Sequence, residues 1–315
     1  MEELRFETPD GVRLAGYRWD PEGDPVAVLQ ITHGISEHAR RYAPVAERFA
    51  AEGWVVYAHD HRGHGGSIPE GGVPGHMADS DGWERATEDL HRIHREIRLR
   101  HPGLPVVLLA HSGGSFMAQR LLAQYPDDFD LVALSGSNGK PPPIAAAGRL
   151  VTRLERWRRG KDASSPLIQK LSFGGFNDGF EGRTEFDWLS SDPAAVDAYV
   201  DDPLCGFPLS TQTWTDMLDA LPELTKPRQL ARIPKDKPIY VFGGDRDPVG
   251  DQGAGLRRLV DAYKRAGLQD VTLKLYPGGR HEMLNESNKD EVIGDLAKWI
   301  AGRLPEKEER ADDAE

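Results

Sequence analysis

Apolar and polar positions follow two different periods along most of the chain. Short apolar runs typical of buried strands recur at "VAVLQITHG", "WVVYAHD", "LPVVLLAH", "FDLVALSGS", "KPIYVFGGD" and "DVTLKLYPG". Segments with apolar residues at helical spacing separate most of these runs. Because strands that alternate with helices form parallel sheets covered on both faces, the pattern predicts an α/β fold.

The sequence predicts a hairpin at the N-terminus and several helices along the chain. Residues 3–19 predict a hairpin, since "RFET" and "VRLAGYRW" flank the turn signal "PDG". Helices are predicted within residues 37–53, 83–101, 114–125 and 253–266, and a last amphipathic helix carries Val292, Leu296, Trp299 and Ile300. The terminal "EKEERADDAE" has almost no apolar residues and is expected to fray.

Residues 137–236 interrupt the alternation of strands and helices. They are rich in proline and glycine, and they predict short helices in "IAAAGRLVTRLERW", "AAVDAYV" and "TWTDMLDAL". The segment is too long for an ordinary connection and too structured for a linker. We therefore expect a core made of residues 1–136 and 237–315, with residues 137–236 inserted as a helical cap or lid.

Composition and charge exclude several classes of protein. Hydrophobic residues make up 38% of the chain, charged residues 29%, and no apolar run approaches the roughly 20 residues that span a bilayer. The acidic N-terminus lacks the features of a secretory signal, so a cytoplasmic location is expected. A net charge of -12 argues against nucleic acid as a partner. The single cysteine, Cys205, allows no internal disulfide.

A serine stands where a buried strand runs into a helix, in "PVVLLAHSGGSFMAQRL". Ser112 at such a turn can simply cap the helix. It can also be a nucleophile, held on a strained turn at the carboxyl edge of the sheet, beside the N–H groups of the following helix. The usual motif for that turn is GxSxG, and here Ala110 replaces the first glycine.

An acid and a histidine follow in the order that a nucleophilic serine requires. Asp245 and Asp247 come directly after the strand in "YVFGGDRDPVG", and His281 follows the next strand in "KLYPGGRHEML". The 34 residues from Asp247 to His281 hold one helix and one strand, which brings both loops to the same edge of the sheet. Three sites that converge independently favour catalysis over helix capping for Ser112.

Four ordered motifs resemble the monoacylglycerol lipase and lysophospholipase branch of the α/β-hydrolase superfamily. They are "HGISEHARRYAPVAERFAAEGWVVYAHDHRGHGGS", "AHSGGS", "GDRDPVG" and "GGRHEML", within residues 1–136 and 237–315. The resemblance implies an eight-stranded, mostly parallel sheet. It implies that Asp247 is the catalytic acid, with Asp245 as its neighbour. It also implies that the backbone N–H groups of Ile35 and Gly113 form the oxyanion hole.

These residues together predict a serine hydrolase of carboxylic esters that acts through an acyl-enzyme. His281 would accept the proton of Ser112, and Asp247 would orient the imidazole. The substrate would be a small-molecule ester with an apolar acyl chain, and neither a cofactor nor a metal is needed. Epoxide and haloalkane hydrolases are disfavoured because they carry an aspartate in place of this serine.

Two alternatives to an esterase stay open. A serine aminopeptidase-like amide hydrolase would use the same three residues, and it would need carboxylates such as Glu181, Glu185 or Asp187 aimed at a substrate ammonium. A non-catalytic relative that binds a ligand or a partner protein belongs to a different class. Labelling of Ser112 by a fluorophosphonate probe would separate the enzyme from the binding protein.

Other polar residues near these motifs have structural interpretations. His59, His61 and His64 suggest zinc, but no fourth ligand is evident, so they are expected to pack the loop. His33 and His111 flank the predicted site and are expected to pack its loops as well. Glu37 and Arg41, four residues apart, are expected to form a stabilising pair rather than act in catalysis.

The predicted cap carries two features that bear on the substrate. Five aromatic residues lie close together and can line an acyl pocket or form the cap's own core: Phe173, Phe176, Phe180, Phe186 and Trp188. The helix "GRLVTRLERWRRGK" has Leu150, Val151, Leu154 and Trp157 on one face and five arginines elsewhere. Such a helix can touch an anionic lipid surface or remain solvated. The sequence leaves the oligomeric state open.

Overall fold

Eight strands form one sheet in the order β1-β2-β4-β3-β5-β6-β7-β8. The computed structural model describes residues 1–141 and 144–304, so the expected fraying of the last residues falls outside the described part. The strands are β1 (Glu2–Glu7), β2 (Arg13–Trp19), β3 (Ala27–Thr32), β4 (Trp54–His59), β5 (Val106–His111), β6 (Leu131–Ser135), β7 (Ile239–Gly244) and β8 (Val271–Tyr276). The hairpin and the six apolar runs are all strands, as predicted.

Most of the sheet is parallel. Strand β1 pairs antiparallel with β2, β2 pairs antiparallel with β4, and every other neighbouring pair is parallel. Strands β3 to β7 are buried at every position, as expected for strands covered on both faces. The parallel order brings the carboxyl ends of β3, β5, β7 and β8 to one edge of the sheet.

Helices cover both faces of this sheet. They are α1 (Ala43–Ala51), α2 (Gly82–Arg100), α3 (Ser112–Gln124), α4 (Ile144–Arg159), α5 (Pro166–Phe173), α6 (Pro193–Asp201), α7 (Thr211–Ala220), α8 (Pro227–Leu230), α9 (Ala254–Arg265) and α10 (Lys289–Ala301). Apolar residues of α1 and α10 pack on one face, and those of α2, α3 and α9 pack on the other. The α/β fold predicted from the alternating pattern is confirmed.

Helices α4 to α8 all lie between β6 and β7, in the segment that interrupts the sequence pattern. Three of them match predicted helices, but α5 and α8 were not predicted. Both begin with a proline at the first helical position. Proline is favourable there, but in a sequence it is easily taken as the sign of a loop. The division of the chain into core and cap stays a prediction. No helix in the described residues is both long and apolar enough to cross a membrane.

Candidate active site

Ser112 lies at the sharp turn between β5 and α3. The helix begins at Ser112 itself, two residues earlier than predicted, and the serine has a φ of 47° in the left-handed region. That conformation is rare for a residue with a Cβ and is typical of functional turns. Gly114 follows where a Cβ would lie only 2.4 Å from the carbonyl oxygen of His33. The turn therefore packs directly on the loop after β3.

The structure brings Ser112, His281 and Asp247 together at the carboxyl edge of the sheet. The Oγ atom of Ser112 lies 2.9 Å from Nε2 of His281, and Nδ1 of His281 lies 3.0 Å from Oδ1 of Asp247. Asp245 does not join them, since its Oδ1 atom accepts a hydrogen bond from the backbone N–H of Gly278. These distances allow a proton to pass from the serine hydroxyl to the imidazole.

The surroundings of His281 decide its charge near neutral pH. The ring is buried, and burial alone lowers the pKa of an imidazole. The adjacent Asp247 carboxylate opposes that effect by charge and by hydrogen bonding, so the net shift raises the pKa of His281 above its ordinary value of 6.5. The protein therefore favours the protonated form of the His281 ring.

Two backbone N–H groups lie beside Ser112. Gly113 belongs to the first turn of α3, whose N–H groups have no acceptor within the helix. A Cβ built on Gly113 would lie 3.2 Å from the backbone nitrogen of Ile35, so the two residues adjoin each other. Within the described residues, the Ile35 N–H donates no hydrogen bond. Both groups are available to a substrate oxygen.

Comparisons with known proteins show the family of the chain. The model of the serine aminopeptidase S33 family matches residues 23–288. The chain is 33% identical to the monoacylglycerol lipase of Mycolicibacterium smegmatis, over 96% of this chain and 98% of the relative. The chain belongs to this family of α/β hydrolases.

Two further relatives point the same way. The human monoglyceride lipase is 27% identical, over 93% of this chain and 88% of the relative. The crystal structure of a thermostable carboxyl esterase from Bacillus coagulans, in complex with glycerol, superposes with a TM-score of 0.88 at 28% identity, over 96% of this chain and 98% of that one. The predicted family and the predicted class, an ester-hydrolysing lipase or esterase, are confirmed.

A large cavity opens above Ser112. Its volume is about 1130 Å³, and its walls come from the edge of the sheet and from the segment between β6 and β7. Most of the lining is apolar, with Ile35, Phe116, Phe173, Phe176, Phe186, Trp188, Phe207, Trp214 and Met217 among the contacts. Four of the five clustered aromatic residues named above therefore line the cavity.

The same aromatic residues also pack on one another. Phe173 and Phe176 lie 5.3 Å apart between ring centroids, and Phe176 lies 5.1 Å from Trp188. Phe180 is the one member of the cluster that does not line the cavity. Its ring contacts the guanidinium groups of Arg246 and Arg280 instead. The two alternatives for this cluster, pocket wall and local core, are both realised.

Glu37 and Arg41 form the expected pair, but the pair is buried and has a third member. Arg41 contacts a carboxylate oxygen of Glu37 at 2.6 Å and holds both oxygens of Glu282 at 2.6 and 2.7 Å. Burial raises the pKa of Glu282, but the Arg41 guanidinium outweighs it and holds that pKa at about 2. The other oxygen of Glu37 accepts the backbone N–H of Gly34 at 2.6 Å. One guanidinium therefore links the loop of Ile35 to the loop of His281.

The histidines flanking the site are buried and neutral. His111 lines the cavity with its ring 4.7 Å from that of His281, and burial lowers its pKa to about 3. His33 donates through Nδ1 to the carbonyl of Gly34 at 2.6 Å and accepts the backbone N–H of His61 at 3.0 Å. Burial lowers the pKa of His59 to about 4. These rings pack the loop that carries Ile35.

A group of three possible metal ligands lies elsewhere. In the part of the chain that the structure describes, His38, Asp202 and Cys205 are the group whose ligand atoms approach one another closely. His38 and Asp202 already pair at 2.8 Å, and the second oxygen of Asp202 accepts the backbone N–H of Leu204. His59, His61 and His64, whose spacing suggests zinc but which were expected to pack the loop, do not form such a group among the described residues.

Three functional features escaped sequence reasoning. Gly136 has a φ of 54°, and a Cβ there would lie 2.9 Å from Cε1 of His281, so only glycine leaves room for the imidazole. Glu282, beside the histidine, is held by Arg41. Trp188 accepts the backbone N–H of His281 through its carbonyl at 3.3 Å. The glycine after a strand is a readable signal, whereas the other two contacts span distant parts of the chain.

Helix α4 presents its apolar face to solvent. Leu150, Leu154 and Trp157 are 68%, 59% and 83% exposed, while Val151 is partly buried against the protein. Ile144 on the same helix, with Leu167 and Leu171 on α5, is exposed as well. Four arginines of α4 are paired with carboxylates: Arg149 and Arg153 pair with Asp219 of α7, and Arg158 and Arg159 pair with Glu155.

Proposed function

We propose that this hydrolase cleaves monoacylglycerol-like esters through a covalent acyl-enzyme on Ser112. The observation that carries the proposal is the continuous chain of contacts from the hydroxyl of Ser112 through the imidazole of His281 to the carboxylate of Asp247, with distances of 2.9 and 3.0 Å. A serine becomes nucleophilic when a positioned base accepts its proton, and the base needs an acid to fix its tautomer.

In acylation, Nε2 of His281 accepts the hydroxyl proton as Oγ of Ser112 attacks the ester carbonyl carbon. The π electrons of the carbonyl move to its oxygen, which the N–H groups of Ile35 and Gly113 stabilise. The tetrahedral intermediate then expels the alcohol, and His281 gives its proton to the departing oxygen. Asp247 holds the imidazolium throughout.

Deacylation repeats these steps with water. His281 accepts a proton from a water molecule whose oxygen attacks the acyl carbon, and the same two N–H groups stabilise the second oxyanion. Collapse of this intermediate breaks the bond to Oγ, and the proton on His281 returns to Ser112. The products are a carboxylic acid, an alcohol and the free enzyme, so no cofactor takes part in the balance.

The cavity supports an ester with a long apolar acyl chain. Its volume of about 1130 Å³ and its aromatic and aliphatic lining suit an alkyl chain that leaves water. The relatives named monoacylglycerol and monoglyceride lipases make glycerol the favoured alcohol. The esterase from Bacillus coagulans, solved with glycerol, adds to this support.

An aminopeptidase-like reaction has less support from the cavity. Two of the three carboxylates it would need are already engaged. Glu181 pairs with the guanidinium of Arg280, and Asp187 accepts the backbone N–H groups of Arg183 and Thr184. Glu185 lines the cavity, but a single exposed carboxylate is a weak anchor for a substrate ammonium.

Residues 137–236 act in this proposal as a cap that meets lipid. Helices α4 and α5 place six large apolar side chains in solvent, and five arginines lie elsewhere on α4. Apolar side chains flanked by arginines bind the interface of an anionic membrane. The substrate reaches the cavity from that membrane, and the inner side of the cap closes over the acyl chain.

The test is a fluorophosphonate probe combined with a substrate panel. We expect covalent labelling of the wild type and none of Ser112→Ala, while Ser80→Ala, at an exposed serine, labels normally. Monoacylglycerols should be cleaved faster than lysophospholipids, short aryl esters and aminoacyl anilides. Absence of labelling would favour a binding protein without catalysis, and preference for the anilides would favour the amide hydrolase.

A further inference from the structure

Ser36 holds a strained conformation in the turn that follows β3. Its φ is 57°, in the left-handed region that residues with a Cβ rarely adopt. Nothing in the side chain of serine favours that region, so contacts from the surrounding protein must hold it. The turn is the one that carries Ile35, the first of the two N–H donors in the proposed function.

Two donors from the segment between β6 and β7 meet at the carbonyl oxygen of Ser36. The hydroxyl of Tyr199, on α6, donates to this oxygen at 2.9 Å. The backbone N–H of Gly206 donates to the same oxygen at 2.9 Å. A carbonyl has two lone pairs, and both are used here. The hydrogen bond between His38 and Asp202, at 2.8 Å, joins the same two parts of the chain beside them.

The ring of Tyr199 is itself held in place. It is buried, it lies 5.0 Å from the ring of Phe186, and the guanidinium of Arg41 lies 4.7 Å from its centroid. Its hydroxyl therefore has a fixed position, and the loss of that hydroxyl alone would leave the ring in its packing. The hydroxyl of Tyr199 therefore has a role separate from the packing of its ring.

These contacts fix the turn on both sides of Ile35. On one side, the N–H of Gly34 is bound to the carboxylate of Glu37 at 2.6 Å. On the other side, the carbonyl of Ser36 is bound to Tyr199 and Gly206. The peptide that carries the Ile35 N–H lies between the two fixed points, and its own carbonyl, that of Gly34, accepts a hydrogen bond from Nδ1 of His33 at 2.6 Å. These contacts together set its direction.

We propose that Tyr199 is a positioning residue for the oxyanion hole, because its hydroxyl holds Ser36 in the left-handed conformation that aims the Ile35 N–H at the substrate. The inference rests on the proposed function. It assigns a catalytic consequence to the cap, which acts on the oxyanion hole through a hydrogen bond without touching the reacting atoms.

A misplaced oxyanion donor affects the transition state more than the bound substrate. Complete loss of one donor costs about 100 to 1000-fold in rate, and here Gly206 still holds the carbonyl, so we expect Tyr199→Phe to lower kcat by on the order of tenfold. KM for a soluble ester should stay within about twofold. The inhibition constant of a trifluoromethyl ketone, whose adduct with Ser112 carries an oxyanion, should rise by the same factor as kcat falls.

Two further variants separate this role from a structural one. Tyr125→Phe removes a hydroxyl that bonds to Glu88 on α2, far from the turn, and should leave kcat unchanged. Ser36→Gly removes the strain, because glycine adopts the left-handed region readily. In a Ser36→Gly background, Tyr199→Phe should therefore cost less than about threefold.

Wild-type turnover distinguishes the two proposals. If the wild type neither hydrolyses esters nor labels at Ser112, the proposed function fails. If the wild type is active and Tyr199→Phe retains its full kcat, or slows without weakening the trifluoromethyl ketone, only the positioning role fails. An undiminished effect of Tyr199→Phe in the Ser36→Gly background overturns it as well.

Discussion

The inner and outer sides of the segment between β6 and β7 are built in opposite ways. On the inner side, Trp188, Leu189 and Tyr199 are buried, and their polar atoms bond to the loops of His281 and Ile35. On the outer side, Leu154 and Trp157 lie in solvent. One face of the segment therefore binds the loops of His281 and Ile35, and the other face exposes apolar side chains to solvent.

Charges differ between the two sides as well. Facing the inner side, Arg41 and Arg280 of the loops after β3 and β8 lie among carboxylates and backbone carbonyls, so these guanidinium groups fix geometry. The outer side leaves Arg153 and Arg158 half exposed in pairs that water screens. We therefore expect inner residues to control the chemical step and the stability of the fold, and outer residues to control where the enzyme works.

The largest effect expected on the inner side comes from Asp247. Asp247→Asn keeps the shape of the side chain but cannot hold His281 in the tautomer that accepts the serine proton. We expect kcat for a soluble ester to fall by about 10³ to 10⁴-fold. Steady-state kinetics with a short aryl ester measures it, since that substrate makes no use of the outer surface.

Asp245→Asn is the matched control for this change. Asp245 is two residues away in the same loop, and its contact is to the backbone N–H of Gly278 rather than to the histidine. Its substitution should alter kcat by less than about threefold, as for a surface position away from the reacting groups. Equal losses in the two variants would show that the loop, and not the acid, is what matters.

The next largest effect is on stability, through Arg41. Arg41→Met leaves the carboxylates of Glu37 and Glu282 buried without their cation, and such a loss costs about 3 to 5 kcal/mol in the free energy of unfolding. Arg48→Met offers a matched control, because Arg48 forms a pair with Glu52 at the same spacing but on the surface. Urea unfolding followed by fluorescence measures both. Indistinguishable midpoints for the two variants would contradict the inner and outer distinction.

Sequence patterns predict the functional residues that a short stretch of chain is enough to identify. The strand-turn-helix pattern around Ser112, and the positions of Asp247 and His281 after successive strands, are enough to bring three side chains to one edge, since parallel strands share that edge. The oxyanion candidates Ile35 and Gly113 came from a family resemblance. Their adjacency in the structure agrees with that expectation, and their role stays a proposal.

The remaining contacts are invisible in the sequence for a physical reason. The bond from Tyr199 to Ser36 joins residues 163 positions apart, and no periodicity reports such a contact. The apolar stripe of α4 was readable, but a hydrophobic pattern predicts that a face exists and not which way it points. Leu154 and Trp157 look the same in the sequence whether they pack inward or face water.

A smaller effect is expected on the outer side, with Trp157→Ser combined with Leu154→Ser. Each removes a large side chain that we expect to enter the membrane interface, so binding to vesicles of anionic phospholipid should weaken by at least about tenfold. Sedimentation with vesicles measures binding, and kcat for a soluble ester should not change. The double variant should keep the wild-type melting temperature, because both side chains are exposed.

Leu99→Ser is the control for this surface. Leu99 is equally exposed, but it lies on α2 rather than on the segment between β6 and β7. Its substitution should leave vesicle binding intact. If the two sets of variants lose binding alike, the membrane contact is diffuse and the outer face of α4 has no special role.

The subtlest test uses pH. Burial lowers the pKa of the His281 ring, but the charge and hydrogen bond of Asp247, with the charges of Glu282 and Glu37, raise it, and the net shift is above 6.5. His281 must be neutral to accept the serine proton, so kcat/KM should fall as pH drops through that raised pKa, and the midpoint of the acid limb should lie above 6.5.

Because the pair of His281 and Asp247 is buried, salt should barely screen it, and the midpoint should be the same at low and high ionic strength. It should also be the same for a soluble ester and for a monoacylglycerol in vesicles. A midpoint below 6.5 would mean that burial outweighs Asp247 and the neighbouring carboxylates. A midpoint that moves with salt would mean that exposed charges, such as the arginines of α4, reach the chemical step, and the separation of the two sides would no longer hold.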